Sequence, residues 1–236
     1  MPPESTAFIT GATHGIGRAT AFALGRAGYA VGVCARTAAN VEALVGELKA
    51  AGIAAAGAAA DVSQAEPVAR AVSQVTAALG EIGLLVNNAG VLIARPFEEL
   101  TLDDWDATMG TNLRSLFLVT RAVLPGMRRR RQGTVVNVAS LAGRNGFAGG
   151  TAYSASKHAV LGFGRSLMLE VRKEGIRVIT VCPGSVDTGM LHDQPMLKSD
   201  PQRILRPEDV ADAILAAVRL PARAMVSEID VRPTNP

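Results

Sequence analysis

The stretch Thr10-Gly11-Ala12-Thr13-His14-Gly15-Ile16-Gly17 decides the fold, because it links a short apolar run to a longer amphipathic one. Ala7–Thr10 has the character of a strand, and Ile16–Ala27 has the spacing of a helix. Glycines at such a junction let the backbone turn tightly and approach a pyrophosphate at the helix N-terminus. The spacing GxxxGxG differs from GxGxxG and also suits an ordinary turn, but its place at the first strand–helix junction favours dinucleotide binding. The residues predicted to bind are Gly11, Thr13, His14, Gly15, Ile16 and Gly17.

The same alternation of short apolar and longer amphipathic runs continues along the chain. Further strands are predicted at Val31–Ala35, Ile53–Ala60, Leu84–Asn87, Thr134–Val138, Val178–Val181 and Val226–Val231. Further helices are predicted at Val41–Ala50, Gln64–Leu79, Leu102–Arg131 with a break near Thr108–Gly110, Thr151–Lys173 and Pro207–Arg219. Ile53–Ala60 favours a helix by its alanine content, but its place between two helices indicates a strand. The repeated units predict an α/β fold with a doubly wound, Rossmann-like parallel sheet, in a single domain over residues 1–236.

The composition indicates a folded protein without a disulfide framework. The 236 residues are 48% hydrophobic and 19% charged, which excludes a disordered chain. Cys34 and Cys182 are too few for a disulfide scaffold, and the three histidines lack metal-ligand spacing, so no metal is expected. No apolar run reaches the ~18 residues that span a bilayer, and the N-terminus lacks the basic region of a secretory signal. We therefore expect a cytoplasmic protein with no membrane partner.

The charge balance is only weakly basic. The chain has 24 basic and 21 acidic residues, a net charge of +3, so no nucleic-acid partner is expected. The run Arg128–Arg131 allows two interpretations. It is either an anion-binding patch or the solvated C-terminus of a helix, where cations interact favourably with the helix dipole before the stop at Gly133. The run is short and contains no aromatic residues, which favours the helix terminus.

Two further loops at strand ends suit a dinucleotide. In such a fold the end of the second strand contacts the adenine ribose, and a carboxylate there binds its 2′-hydroxyl. The stretch Cys34-Ala35-Arg36-Thr37 has no carboxylate. Arg36 can pair instead with a 2′-phosphate, which favours NADP(H) over NAD(H), although a solvent-facing arginine is the simpler alternative. Asn87-Asn88-Ala89-Gly90 offers small residues on which a ligand can rest, or forms an ordinary turn.

The most specific pattern combines Ser140, at the end of the fifth strand, with Tyr153 and Lys157 on the following helix. A tyrosine and a lysine four residues apart share one helix face, so the ammonium can lie near the phenol. A nearby cation favours the phenolate, which predicts a lowered pKa for Tyr153. Tyr153 then suits general acid/base work, with Ser140 hydrogen-bonded to the reacting oxygen. An isolated tyrosine–lysine pair would more simply be helix packing.

Taken together, these residues resemble the short-chain dehydrogenase/reductase family over nearly the whole chain. The resemblance rests on TGxxxGxG at Thr10–Gly17, NNAG at Asn87–Gly90, and YxxxK at Tyr153–Lys157 with Ser140 placed 13 residues before the tyrosine. It implies the catalytic set Asn112, Ser140, Tyr153 and Lys157. It also implies cofactor contacts by Asp61, Val62, Asn88, Ala89, Gly90, Tyr153, Lys157, Pro183, Gly184, Val186 and Thr188.

The resemblance implies the chemistry as well: an NADP-dependent oxidoreductase that interconverts the carbonyl and the alcohol of a small-molecule substrate. Tyr153 would protonate the carbonyl oxygen, or deprotonate the alcohol in reverse, and Ser140 would orient that oxygen. Lys157 would hold the nicotinamide ribose and lower the pKa of Tyr153, and Asn112 would hold a water in a proton relay. The family also implies a homotetramer or homodimer packed through the two long helices.

Some features depart from the family pattern or leave alternatives open. His14 stands where NADP-using members often carry Arg or Lys, which weakens one expected phosphate contact. The segment between Thr188 and Pro207, about residues 189–206, is predicted to form a substrate lid, or else a loop whose apolar side chains pack on the body. An epimerase or dehydratase on the same fold remains an alternative. A dinucleotide-sensing protein is disfavoured because both Tyr153 and Lys157 are present. The sequence does not identify the substrate.

Overall fold

Seven strands form one parallel sheet in the computed structural model, which describes residues 5–194, 196–197, 200 and 202–234. The strands are β1 (Thr6–Thr10), β2 (Ala30–Ala35), β3 (Ala55–Ala59), β4 (Ile82–Asn87), β5 (Gly133–Val138), β6 (Ile176–Pro183) and β7 (Glu228–Val231). They lie in the order β3-β2-β1-β4-β5-β6-β7. The sheet thus grows in one direction after β1 and in the other from β4, which confirms the doubly wound fold. Within the segment predicted to be a lid, residues 195, 198–199 and 201 lie outside the described residues.

Helices cover both faces of the sheet. They are α1 (Gly15–Arg26), α2 (Ala38–Ala50), α3 (Ala65–Leu79), α4 (Leu102–Met109), α5 (Ser115–Arg130), α6 (Thr151–Val171), α7 (Gly189–His192) and α8 (Pro207–Val218). α1, α2 and α8 pack on one face, and α3, α5 and α6 on the other. Along β1 the side chains alternate, since Ala7 and Ile9 face the first group of helices and Phe8 faces the second. In the described part of the chain, no helix is both long enough and apolar enough to cross a membrane.

The alanine-rich run after α2 forms a strand, as predicted. β3 pairs in parallel with β2, with Val31 opposite Ala55. Small residues are required here because α2 lies close to the strand: a Cβ at Gly57 would come within 2.4 Å of Val41 Cγ1. Tertiary pairing therefore overrides the helical preference of alanine.

The long helix predicted over Leu102–Arg131 is interrupted close to the predicted position. The interruption is a π-helical turn rather than a break in the helix. α4 ends at Met109 and continues into a π-helical turn at Gly110–Arg114, from which α5 begins. Thr101 caps the start of α4, since its hydroxyl accepts from the Asp104 amide at 3.1 Å. A π turn is a frequent feature of functional sites, and this one carries the buried Asn112.

The arginine run Arg128–Arg131 ends α5, which confirms the interpretation as a helix terminus. Arg128 pairs with Glu174 at 3.2 Å, and the next two arginines pair with Glu81 at 3.1 and 2.8 Å. Arg131 is the C-cap residue in the left-handed conformation, with φ 51°. The positive charges of these arginines therefore lie at the C-terminus of α5, where they interact favourably with the helix dipole, and three of the guanidinium groups pair with carboxylates of the same chain.

Candidate active site

Two loops meet where the sheet changes direction, at the carboxyl ends of β1 and β4. The Thr10 hydroxyl accepts hydrogen bonds from the backbone amides of Asn88 and Ala89, both at 3.1 Å. The Asn88 amide group in turn donates to the carbonyl oxygens of Thr10 and Gly11, both at 3.0 Å. These bonds fix the glycine-rich turn against the NNAG loop. The two loops together form a crevice at the position where open α/β sheets bind their ligands.

The glycine-rich turn has the shape that a dinucleotide pyrophosphate needs. Gly11 and Gly15 adopt φ values of +62° and +52°, which side-chain-bearing residues rarely do. At Gly17 a Cβ would lie 2.3 Å from the Gly11 carbonyl oxygen, so only glycine lets the turn fold over the start of α1. His14 occupies the N-cap position of α1 and makes no side-chain capping bond. The first amides of α1 are therefore left to bind an anion, which suits a pyrophosphate.

A single cavity of about 950 Å³ brings nearly all the predicted site residues together. The dinucleotide turn, Arg36, Asp61, the NNAG loop, the three residues Ser140, Tyr153 and Lys157, and the loop after β6 all contribute to its wall. Gly17 and Asn112 lie behind this wall and do not line it. Sequence reasoning missed Asn145 and Phe147 in the loop before α6, and Arg232 and Pro233 after β7, which also line the cavity. No motif marks these four positions.

Tyr153, Lys157 and Ser140 converge at one end of this cavity. Lys157 is 4% exposed, and its Nζ donates to the Val138 carbonyl oxygen at 2.9 Å. The same Nζ lies 5.7 Å from the centre of the Tyr153 ring. Ser140 forms a side-chain hydrogen bond with Tyr153 and accepts another from the Ala142 amide at 3.1 Å. Phe147 packs edge-on against the tyrosine ring, at 6.3 Å between centroids.

The pKa of Tyr153 shifts in the direction opposite to the expected one. Burial raises the pKa of Tyr153, and the hydrogen bond with Ser140 lowers it by less. The expected net depression of the Tyr153 pKa is therefore wrong for this structure, because burial of the phenol outweighs the effects that lower its pKa. The same burial lowers the pKa of Lys157 to about 8. A phenol with a raised pKa stays protonated at neutral pH. This is the form that can donate a proton to a carbonyl oxygen.

Asn112 is held by its neighbours rather than presented to the cavity. Its amide group donates to the Val91 carbonyl oxygen at 2.9 Å and to Ser156 Oγ at 3.0 Å. Its own carbonyl oxygen accepts from the Val91 amide at 2.7 Å. Both amide hydrogens are thus already used. The side chain links the π turn to α6 and to Val91, which lines the cavity.

The far end of the cavity presents Arg36 and Asp61. Arg36 is exposed just after β2, and within the described residues its guanidinium makes no hydrogen bond or ion pair. Asp61 accepts hydrogen bonds from the amide and hydroxyl of Ser63 at 2.9 and 2.7 Å. These bonds, with a smaller contribution from Arg36, lower the pKa of Asp61. The free Arg36 guanidinium suits a phosphate group. His14 is also exposed on the cavity wall, with Nδ1 at 3.2 Å from Thr13 Oγ1.

The described part of the predicted lid borders the other end of the cavity. It includes the short helix α7, and His192 Nε2 lies 2.9 Å from Asp187 Oδ1. Gln194 accepts a hydrogen bond from the Ala94 amide at 2.9 Å. The apolar residues that this segment adds to the cavity wall are Met190, Leu191, Met196 and Leu197. This end of the cavity is therefore apolar, in contrast to the end at Arg36.

Comparisons with known proteins agree with this geometry. A family model described as short chain dehydrogenase matches residues 5–197. The chain is 40% identical over 189 residues to a 3-oxoacyl-acyl-carrier-protein reductase of Pseudomonas aeruginosa, covering 80% of this chain and 76% of that protein. It is also 40% identical over 189 residues to an acetoacetyl-CoA reductase of Shinella zoogloeoides, covering 80% and 77%. A variant of actinorhodin polyketide ketoreductase, crystallised with NADPH, matches with a TM-score of 0.90 and 33% identity over 97% of this chain and 96% of that chain.

Proposed function

This chain belongs to the short chain dehydrogenase family and is an NADP-dependent oxidoreductase that acts on carbonyl and hydroxyl groups, and from this we propose its substrate class. We propose that the protein reduces the ketone of a 3-oxoacyl thioester. The observation that carries the proposal is the convergence of Ser140, Tyr153 and Lys157 in one cavity. The dinucleotide turn lies on one side of these residues, and the apolar wall of Met190 and Leu191 lies on the other. An acyl chain suits such a wall. The names of the similar reductases support the substrate class.

Each of the converging side chains has one task in this reaction. When bound, NADPH supplies the hydride that the carbonyl carbon accepts. The protonated Tyr153 phenol donates its proton to the carbonyl oxygen, so that the product is an alcohol. Ser140 hydrogen-bonds to the same oxygen and keeps it beside the phenol. Lys157, fixed by Val138, then favours the phenolate that remains on Tyr153.

The remaining wall residues would hold the cofactor. The amides at the start of α1 bind the pyrophosphate, and Gly11, Gly15 and Gly17 allow its close approach. Asp61 and Val62 would contact the adenine, and the NNAG loop would provide small residues against which the dinucleotide rests. Pro183, Gly184, Val186 and Thr188 contact the nicotinamide end. Arg36 pairs with the 2′-phosphate that distinguishes NADP from NAD.

We expect Arg36→Ala to weaken NADPH binding by about 10- to 100-fold, since charge-assisted hydrogen bonds contribute about 1.5–3 kcal/mol. NADH, which lacks the 2′-phosphate, should bind the variant and the wild type equally. Fluorescence titration with both nucleotides measures the effect. The matched control is Arg70→Ala, which removes an exposed arginine that pairs with Glu66 on the same helix. An equal loss for NADPH and NADH, or no loss at all, would remove Arg36 from this role.

The substrate class is tested by comparing 3-oxooctanoyl-CoA, a thioester with a medium-length acyl chain, with simple cyclic and aromatic ketones under saturating NADPH. We expect kcat/KM for the thioester to exceed that for each simple ketone by about 10-fold or more, because a buried acyl chain adds binding energy in the apolar half of the cavity. Initial rates of NADPH oxidation give the ratios. A simple ketone that is reduced as well as the thioester would contradict the proposed substrate class but not the reaction.

We also propose that the protein is a homodimer or homotetramer packed through α5 and α6, and that it is cytoplasmic. A groove of about 390 Å³ runs between these helices, with Phe117 and Phe163 in its wall. Phe117 is 46% exposed and shares the groove with Leu124 and Phe163, and a contiguous apolar patch of this kind suits a protein–protein interface. The two cysteines are free and buried, as a reducing compartment permits.

A further inference from the structure

A cluster of charged side chains outside the cavity joins the turn behind Ser140 to the last strand of the sheet. Arg144 lies on this turn, and its guanidinium contacts two carboxylates of β7. Its Nε lies 2.7 Å from Asp230 Oδ1, and its Nη2 lies 2.8 Å from Glu228 Oε2. Residues two apart on a strand project from the same face, so one guanidinium can reach both. The three side chains are 20–30% exposed, and they form a network in which one guanidinium pairs with two carboxylates, an arrangement that contributes more than an isolated surface ion pair.

The turn that Arg144 holds also carries Ser140. Leu141–Gly143 forms a 3₁₀ turn directly after Ser140, and the Ala142 amide donates to Ser140 Oγ. On its inner side the turn lies against the backbone of α6, since a Cβ at Gly143 would come within 2.6 Å of the Lys157 carbonyl oxygen. The turn is therefore held between α6 on one side and the Arg144 pairs on the other.

The other side of this contact is β7, the last strand of the sheet. It has four residues and lies at the edge of the sheet, and β6 is its one partner among the described strands. The chain beyond it returns to the cavity, where Arg232 and Pro233 form part of the wall. Arg232 contacts Asp230 Oδ2 at 3.1 Å, so one carboxylate connects the cavity wall with Arg144. The segment directly after β7 and the turn after Ser140 are thus linked through one ion-pair network.

We propose that Arg144 is a positioning residue, which fixes the turn after Ser140 against β7 and so places the Ser140 hydroxyl beside Tyr153. Arg144 does not touch the reacting atoms. Its effect on the reaction passes through Ser140, because the hydroxyl is oriented by the turn that Arg144 ties down. The inference rests on the role of Ser140 in the proposed function. Displacements on the order of 1 Å at a reacting group can cost about 10²-fold in rate.

The test is Arg144→Ala measured beside the control Arg165→Ala. Arg165 pairs with the same Glu228 at 2.6 Å, but it lies on α6 and contacts no residue of the turn among those described. We expect Arg144→Ala to lower kcat by about 10- to 100-fold, with the dissociation constant for NADPH unchanged, and Arg165→Ala to keep kcat within about twofold. Arg144→Lys should restore part of the loss, because its ammonium reaches one carboxylate at a time. It also replaces Arg144→Ala if the latter does not fold.

The double variant with Ser140→Ala separates positioning from general stability. If Arg144 acts through Ser140, then Arg144→Ala causes little further loss of kcat once Ser140 is alanine. An equal loss in both backgrounds, or an unchanged kcat with a lower unfolding midpoint, would overturn the proposal. Full activity of Ser140→Ala alone would instead overturn the proposed role of Ser140. The two failures are therefore distinguishable.

Discussion

The variant Tyr153→Phe is expected to lose about 10³-fold in kcat/KM for carbonyl reduction, since general acid catalysis contributes typically 10²–10⁴-fold. The change removes only the phenol hydroxyl. The ring keeps its edge-on contact with Phe147, so the cavity and the fold are preserved. Initial rates of NADPH oxidation with a 3-oxoacyl thioester give the effect, and the unfolding midpoint and the affinity for NADPH should match those of the wild type.

The matched control for this experiment is Tyr29→Phe. Tyr29 is the other tyrosine of the chain, and it is not part of the cavity wall. Its variant should reduce the same substrate at the wild-type rate. If Tyr153→Phe reduces the thioester as fast as Tyr29→Phe does, another group supplies the proton and the assignment of Tyr153 is wrong.

The variant Lys157→Met is expected to lose about 10²-fold or more in kcat/KM and yet to be at least as stable as the wild type at pH 7. Burial lowers the pKa of Lys157 from 10.5 to about 8. A lysine with a lowered folded-state pKa binds its proton less well in the folded protein than in the unfolded one, so its charge costs stability below pH 8. A shift of this size corresponds to a cost of about 3 kcal/mol in the stability of the wild type, which the variant avoids. The variant in turn loses about 1–3 kcal/mol, because the Val138 carbonyl oxygen no longer has its hydrogen-bond donor.

The pH dependence of stability provides the check. The unfolded state binds more protons between pH 8 and about 10.5, so the stability of the wild type should rise relative to the variant across this range. Thermal unfolding of both proteins at pH 7 and pH 10 measures the difference, and the wild type should gain stability relative to the variant at the higher pH. A variant that is less stable than the wild type at pH 7, by a deficit that shrinks toward pH 10, would show instead that the buried ammonium stabilises the fold.

The order of strands and helices could be predicted because the hydrophobic pattern of each segment agrees with the place of that segment in the strand–helix alternation. The turn at Thr10–Gly17 marks the first crossing, and each later strand ends in a loop of small or polar residues. Even Ile53–Ala60 was predicted correctly, since its place between two helices outweighed the propensity of alanine. The residues that line the cavity could be predicted for the same reason. The carboxyl ends of parallel strands meet at one edge of the sheet.

Burial and distant contacts could not be predicted. The spacing of Tyr153 and Lys157 indicates that the two side chains share a helix face, but not that burial would shift both pKa values toward the uncharged forms. The sequence indicates that Asn112 belongs to the site, but it does not predict the π turn that directs the Asn112 side chain toward Val91. Arg144 and Asp230 are far apart along the chain, and their contact depends on the position of β7 at the edge of the sheet. Such contacts follow from tertiary packing, which no local pattern encodes.

The central claim is that hydride passes between a nicotinamide and a substrate carbonyl in the cavity formed by Ser140, Tyr153 and Lys157. Its most direct test is the reduction of a 3-oxoacyl thioester with NADPH deuterated at the transferable C4 position, followed by mass spectrometry of the product. We expect the wild type to form a 3-hydroxyacyl thioester with one deuterium on the former carbonyl carbon. NADPH oxidation that leaves no deuterium at that carbon, or no reduction of any carbonyl compound, would contradict it.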